Sequence, residues 1–98
     1  MRGAMTSLPH YRAIPATDLV IRPLADITLL YHRPSGQTHM VASPVPEILA
    51  ALGAHPLDSH AIHARLATCY DLGDPDEARA AIATHLAEMA ALGLIRAA

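Results

Sequence analysis

The chain has no Lys, no Trp and no Phe, and it holds a single cysteine. Each absence excludes something. With no second thiol, Cys69 has no partner for an internal disulfide, as expected of a protein in a reducing cytoplasm. With no Lys, all seven basic residues are Arg (2, 12, 22, 33, 65, 79 and 96), scattered along the chain at a net charge of −2. Nucleic-acid binders cluster basic residues into a stripe and draw most of their non-specific affinity from phosphate electrostatics. That attraction is weak here, so no nucleic-acid partner is expected. No window of about 18 apolar residues exists to span a membrane. Met1 to Met5 has no hydrophobic signal region behind its one charge.

Charge is also scarce. Charged residues make up 16% of the chain and apolar ones 52%, against a typical charged share of about 25%. A disordered chain would show the reverse balance. With three Tyr as the only aromatics, the core must be built from Leu, Ile and Val. At 98 residues there is room for one modest core, but not for a scaffold with a deep catalytic cleft. Most cofactor-binding enzyme folds are thereby excluded, and no cofactor is expected.

The pattern changes near residue 43. Residues 1–16 read as a flexible N-terminal arm, with Pro9 and Pro15 breaking any periodicity, and 17–98 as one domain. Asp18–Arg22, Asp26–His32 and Thr38–Val41 are short apolar runs, the first ended by Pro23, the second and third joined through Pro34-Ser35-Gly36-Gln37. Ser35 and Gly36 supply the turn chemistry, Gly36 by tolerating positive φ. Three runs joined by tight turns predict an antiparallel meander. Helical spacing follows. Ser43 can cap a first helix carrying Val45, Ile48, Leu49 and Leu52. A second starts near Asp58 or Ser59, with Ile62, Leu66, Cys69 and Tyr70 on one face. Asp74-Pro75-Asp76-Glu77 opens a third with a cap, Pro at the first position and acids on the positive end of the dipole. It carries Ala78, Ile82, Leu86 and Met89 and stops at Gly93, leaving Leu94 and Ile95 as an apolar tail. The expected fold class is α+β: a three-stranded antiparallel meander followed by a three-helix bundle.

No catalytic constellation emerges. Of seven His, only His60 and His63 have usable metal-ligand spacing, and Cys69 lies about two and a half turns beyond His60. No metal site is expected. On the apolar face of a helix Cys69 would act as a small hydrophobe rather than a nucleophile. The carboxylates sit mostly at helix starts, where capping accounts for them, and there is no Gly-rich phosphate loop. The chain is not expected to be an enzyme. The third strand, by contrast, carries no Pro, Lys or acid to protect its edge. Such an edge accepts an added peptide strand, or is covered by a helix or by a second copy in a homodimer.

The run Ser35-Gly36-Gln37-Thr38-His39, the apolar segment Pro44 to Leu52 and the ending Leu92-Gly93-Leu94-Ile95 resemble the PqqD-like family. More narrowly, they resemble the PqqD-family peptide chaperones of the HPr-related A (HPr-rel-A) system. The resemblance covers about residues 17–96. It implies a winged-helix-like RiPP recognition element, in which a precursor or leader peptide adds as a strand beside the third strand and packs on the third helix. The chaperone then presents the peptide to a modifying enzyme, here one resembling HPr kinase. The implied peptide-binding residues are Thr38, His39, Met40 and Val41, with Arg79, Ile82, Ala83 and Leu86 on the helix. Met40 is an adaptable contact, and Arg79 can pair with a peptide carboxylate. The competing readings are a winged-helix DNA-binding regulator, which the acids opening helix three disfavour, and a structural dimerisation module.

Overall fold

The computed structural model describes residues 8–98. Five short strands and three helices are formed among them. In chain order they are β1 (Tyr11–Ala13), β2 (Leu19–Leu24), β3 (Ile27–His32), β4 (Gln37–Val41), α1 (Val45–Ala51), α2 (Ser59–Ala67), α3 (Pro75–Ala91) and β5 (Ile95–Ala97). The fold is α+β. Strands β2, β3 and β4 form an antiparallel sheet in that order, and β1 pairs with β5 in a separate two-stranded ribbon.

The meander follows from its turns. Ala25, at φ 50°, lets β2 reverse into β3 across two residues. Gly36, at φ 71°, closes β3 into β4, and its N–H donates to the His32 carbonyl at 2.8 Å. Pro23 does not end the first strand as expected. The strand runs on to Leu24, with Pro23 opposite Thr28. An edge strand tolerates proline because the donors on its outer side have no ladder to join.

The helix starts behave as their residues require. The Asp58 carboxylate accepts from Ala61 N–H at 2.8 Å, and Asp74 from Glu77 N–H at 3.0 Å. The first helix differs. Pro44 occupies the cap position without a side-chain cap, and the Ser43 hydroxyl instead donates to Glu47. Helix α2 stops at Ala67, so Cys69 and Tyr70 fall in the following turn. Both are exposed, which corrects their expected place on the apolar face.

The ribbon is a further correction. The chain expected to be a flexible arm is paired at Tyr11–Ala13, in register with Ile95–Ala97. Tyr11 also exchanges backbone hydrogen bonds with Leu57, and Ala13 N–H donates to the Gly53 carbonyl. The part of that arm over residues 1–7 lies outside the described residues. The apolar tail is a strand entrance: Leu94 and Ile95 are 1% and 2% exposed. The helices and this end segment supply most of the core, namely Val45, Ile48, Leu49, Leu52, Ile62, Leu66, Ile82, Leu86, Met89, Leu94 and Ile95. From the three-stranded sheet only Leu30 joins it. No helix among the described residues is long and apolar enough to cross a membrane.

Leu30 is fully buried, so Leu30→Ala leaves a cavity. It is expected to cost about 2–5 kcal/mol in urea unfolding. Asp74→Ala removes a cap alone and is expected to cost about 1 kcal/mol in the same measurement.

Candidate functional site

Strand β4 is the terminal strand of its sheet. Its inner edge pairs with β3, from His32 opposite Gln37 to Thr28 opposite Val41. No strand pairs with its outer edge among the described residues. The two-residue period of a strand splits its side chains between two faces. His39 and Val41 are half-buried on the face shared with Leu30, while Thr38 and Met40 project from the opposite face. Met40 is 74% exposed.

That outer face is apolar over much of its area. Leu29 stands opposite Met40, and Tyr31 stands between Val20 and Thr38. Tyr31, Ile27 and Leu24 are all exposed. The period of two in Leu29 and Tyr31, matched by Thr38 and Met40, is the sequence signal that marks this face.

The hairpin that presents β4 is fixed by short-range bonds. The Ser35 hydroxyl lies 2.8 Å from His32 Nδ1 and accepts from the Gln37 N–H at 3.2 Å. Across the turn, the His32 ring lies against Gly93, where a Cβ would meet it at 3.5 Å. The meander is thus braced against the end of α3. Ser35 and Gly36, the expected turn residues, occupy the turn between β3 and β4.

The helix residues assigned to the groove divide between two faces. Ile82 lines a hollow of about 180 Å³ with Pro44, Leu66, Leu72, Ala78 and Ala81, of which Pro44 follows β4 closely in sequence. Ala83 and Leu86 instead line a small depression with Leu8, Pro9, Tyr11 and Ser59. Ile82 and Leu86 are 4% and 1% exposed, so their side chains belong chiefly to the core. Arg79 sits between these faces. Its Nη1 is 3.6 Å from Asp76, and its Nε is buried without a hydrogen-bond partner. Since Asp76 is almost fully exposed, that ion pair adds little stability. His39 Nε2 is likewise buried and unpartnered. Each is a buried polar atom that carries the desolvation cost of an unmade hydrogen bond.

Pro44, Leu72, Ala78 and Ala81 were not anticipated as site residues. Ala78 and Ala81 share a helix face with Ile82 by the i, i+3, i+4 rule, which is the signal that marks them. No group of three or more His, Cys, Asp or Glu stands close enough to hold a metal ion among the described residues.

Set against models of protein families, curated proteins and solved structures, the chain matches none. The geometry of the site comprises a ladder edge unpaired among the described residues, an apolar face beside it and a hollow that Pro44 helps to line.

At φ 71° Gly36 adopts a backbone conformation that L side chains avoid, although no atom lies within 4 Å of an added Cβ. Gly36→Ala is therefore expected to cost about 1–2 kcal/mol from the backbone alone, read by urea unfolding.

Proposed function

We propose that the protein is a non-catalytic peptide-recognition module, working in the cytoplasm. It takes an extended precursor or leader peptide as a further strand on the outer edge of β4 and presents it to a modifying enzyme. The observation that carries this reading is the position of β4 at the end of its sheet with its outer edge unpaired among the described residues. Main-chain bonds to such an edge supply affinity, and pockets for alternate side chains supply specificity. Side chains on one face of the added strand would meet the apolar surface around Met40 and Tyr31. Those on the other would lie toward Pro44, Ala78 and Ile82. The resemblance to PqqD-like chaperones points to the same strand and suggests a kinase-like recipient enzyme.

A DNA-recognition role finds less support. Helix α3 opens on Asp74, Asp76 and Glu77, and acids at that end repel phosphates.

The test is an NMR titration of the isotope-labelled protein with a panel of synthetic extended peptides. Amide shifts are expected in residues 37–41. N-methylating the alternate peptide residues that face β4 is expected to abolish them, because it removes ladder donors. Met40→Asp is expected to weaken binding about tenfold, the equivalent of about 1.4 kcal/mol. Shifts confined to the β1–β5 ribbon or to α3 would overturn the groove.

A further inference from the structure

A cleft far in sequence from β4 lies between the β1–β5 ribbon and the loop joining α1 to α2. It measures about 430 Å³ and is lined by Arg12, Arg96, Gly53, Ala54 and the segment 13–16. Arg12 and Arg96 are directly opposite each other in the antiparallel register. Directly opposed residues point to the same face, so the ladder holds two guanidinium groups side by side. The inner face of the ribbon, with Ala13 opposite the buried Ile95, is turned to the core, and the arginine face is turned outward.

Like charges directly opposite on paired strands destabilise the pairing. Here no acidic residue lines the cleft, and neither arginine forms an ion pair among the described residues. Residues 1–7 contain no Asp or Glu either. Among the described residues no ion pair and no acid of the cleft lining offsets the two positive charges, which stand at the mouth of a cleft of ligand size.

We propose that Arg12 and Arg96 form a binding site for a phosphate monoester. Guanidinium groups recognise phosphate oxygens through paired, charge-assisted hydrogen bonds. A monoester carries close to two negative charges at neutral pH, which matches two arginines, whereas a carboxylate neutralises only one. The neighbouring wall at Ala13, Ile14 and Pro15 is apolar and suits the organic part of such an ester. This site is separate from the β4 edge and does not depend on the peptide-binding reading.

The test is thermal unfolding of the whole chain in a buffer free of multivalent anions. Inorganic phosphate or phenyl phosphate is then added at millimolar concentration, with sodium acetate at matched ionic strength as the control. Phosphate and phenyl phosphate are expected to raise the wild-type Tm by about 4–8 °C, and acetate by much less. Arg96→Gln and Arg12→Gln are each expected to lose that gain. Without phosphate, each is expected to melt at or above the wild-type temperature, because the repulsion is gone. Isothermal titration with phenyl phosphate is expected to show at least a tenfold weaker Kd in each variant. An equal rise in wild type and variants, an equal response to acetate, or no response to either phosphate overturns the proposal.

Discussion

The three-stranded sheet is tied to the rest of the molecule through Leu30. Every other fully or nearly buried apolar residue comes from the helices or from the segment leading into β5. Leu19 and Val41 pack partly against the same core and flank this anchor. Because the attachment is a narrow stripe, the rest of the sheet is not consumed by folding. The outer face, from Leu24 and Ile27 to Tyr31 and Met40, keeps its apolar side chains in solvent, and so does the free side of β4. A small domain with a limited core has little apolar area to leave unused. The unusually apolar composition is distributed accordingly: part closes the helical core, and part stands on the sheet.

The same arrangement separates stability from recognition. The hydrogen bonds that shape the β3–β4 hairpin are local, running among His32, Ser35, Gly36 and Gln37. Its brace against the α3 end is the His32 ring on Gly93. Residues on the outer side of β4 take no part in either, so their side chains are free to vary with whatever strand they meet. In α3 the reverse holds. Ile82 and Leu86 are core residues first, and only the small side chains at Ala78 and Ala81 leave space in the hollow that Pro44 helps to line.

Local chemistry was the legible part of this fold. Asp58 and Asp74 announce their helices through side chains that cap three residues onward, and both do so. The helical period placed Ile62, Leu66, Ile82, Leu86 and Met89 in the core, and turn residues placed the meander. What escaped was non-local. Tyr11–Ala13 is three residues long between prolines, too short to show a period, and its partner lies at the far end of the chain. Cys69 and Tyr70 continue the apolar spacing of α2, but Thr68 turns the chain and its hydroxyl bonds the Arg65 carbonyl, ending the helix first. The division of α3 into two faces depends on what packs on each side, Pro44 on one and Pro9 on the other, and spacing along one helix does not contain that information.

The β1–β5 ribbon sets an order of events. The hairpins of the meander and the α2–α3 pair connect neighbours in sequence and close small loops. The ribbon joins Tyr11 to Ala97, and His10 to Ala98, across almost the whole chain. Closing so long a loop gains nothing until the intervening elements are in place, so these strands dock last during folding. With three residues on each side, they are also the first ladder to open from the native state. Amide exchange along this chain is therefore graded, fastest at the two ends that meet and slowest beneath Leu30 and Ile62.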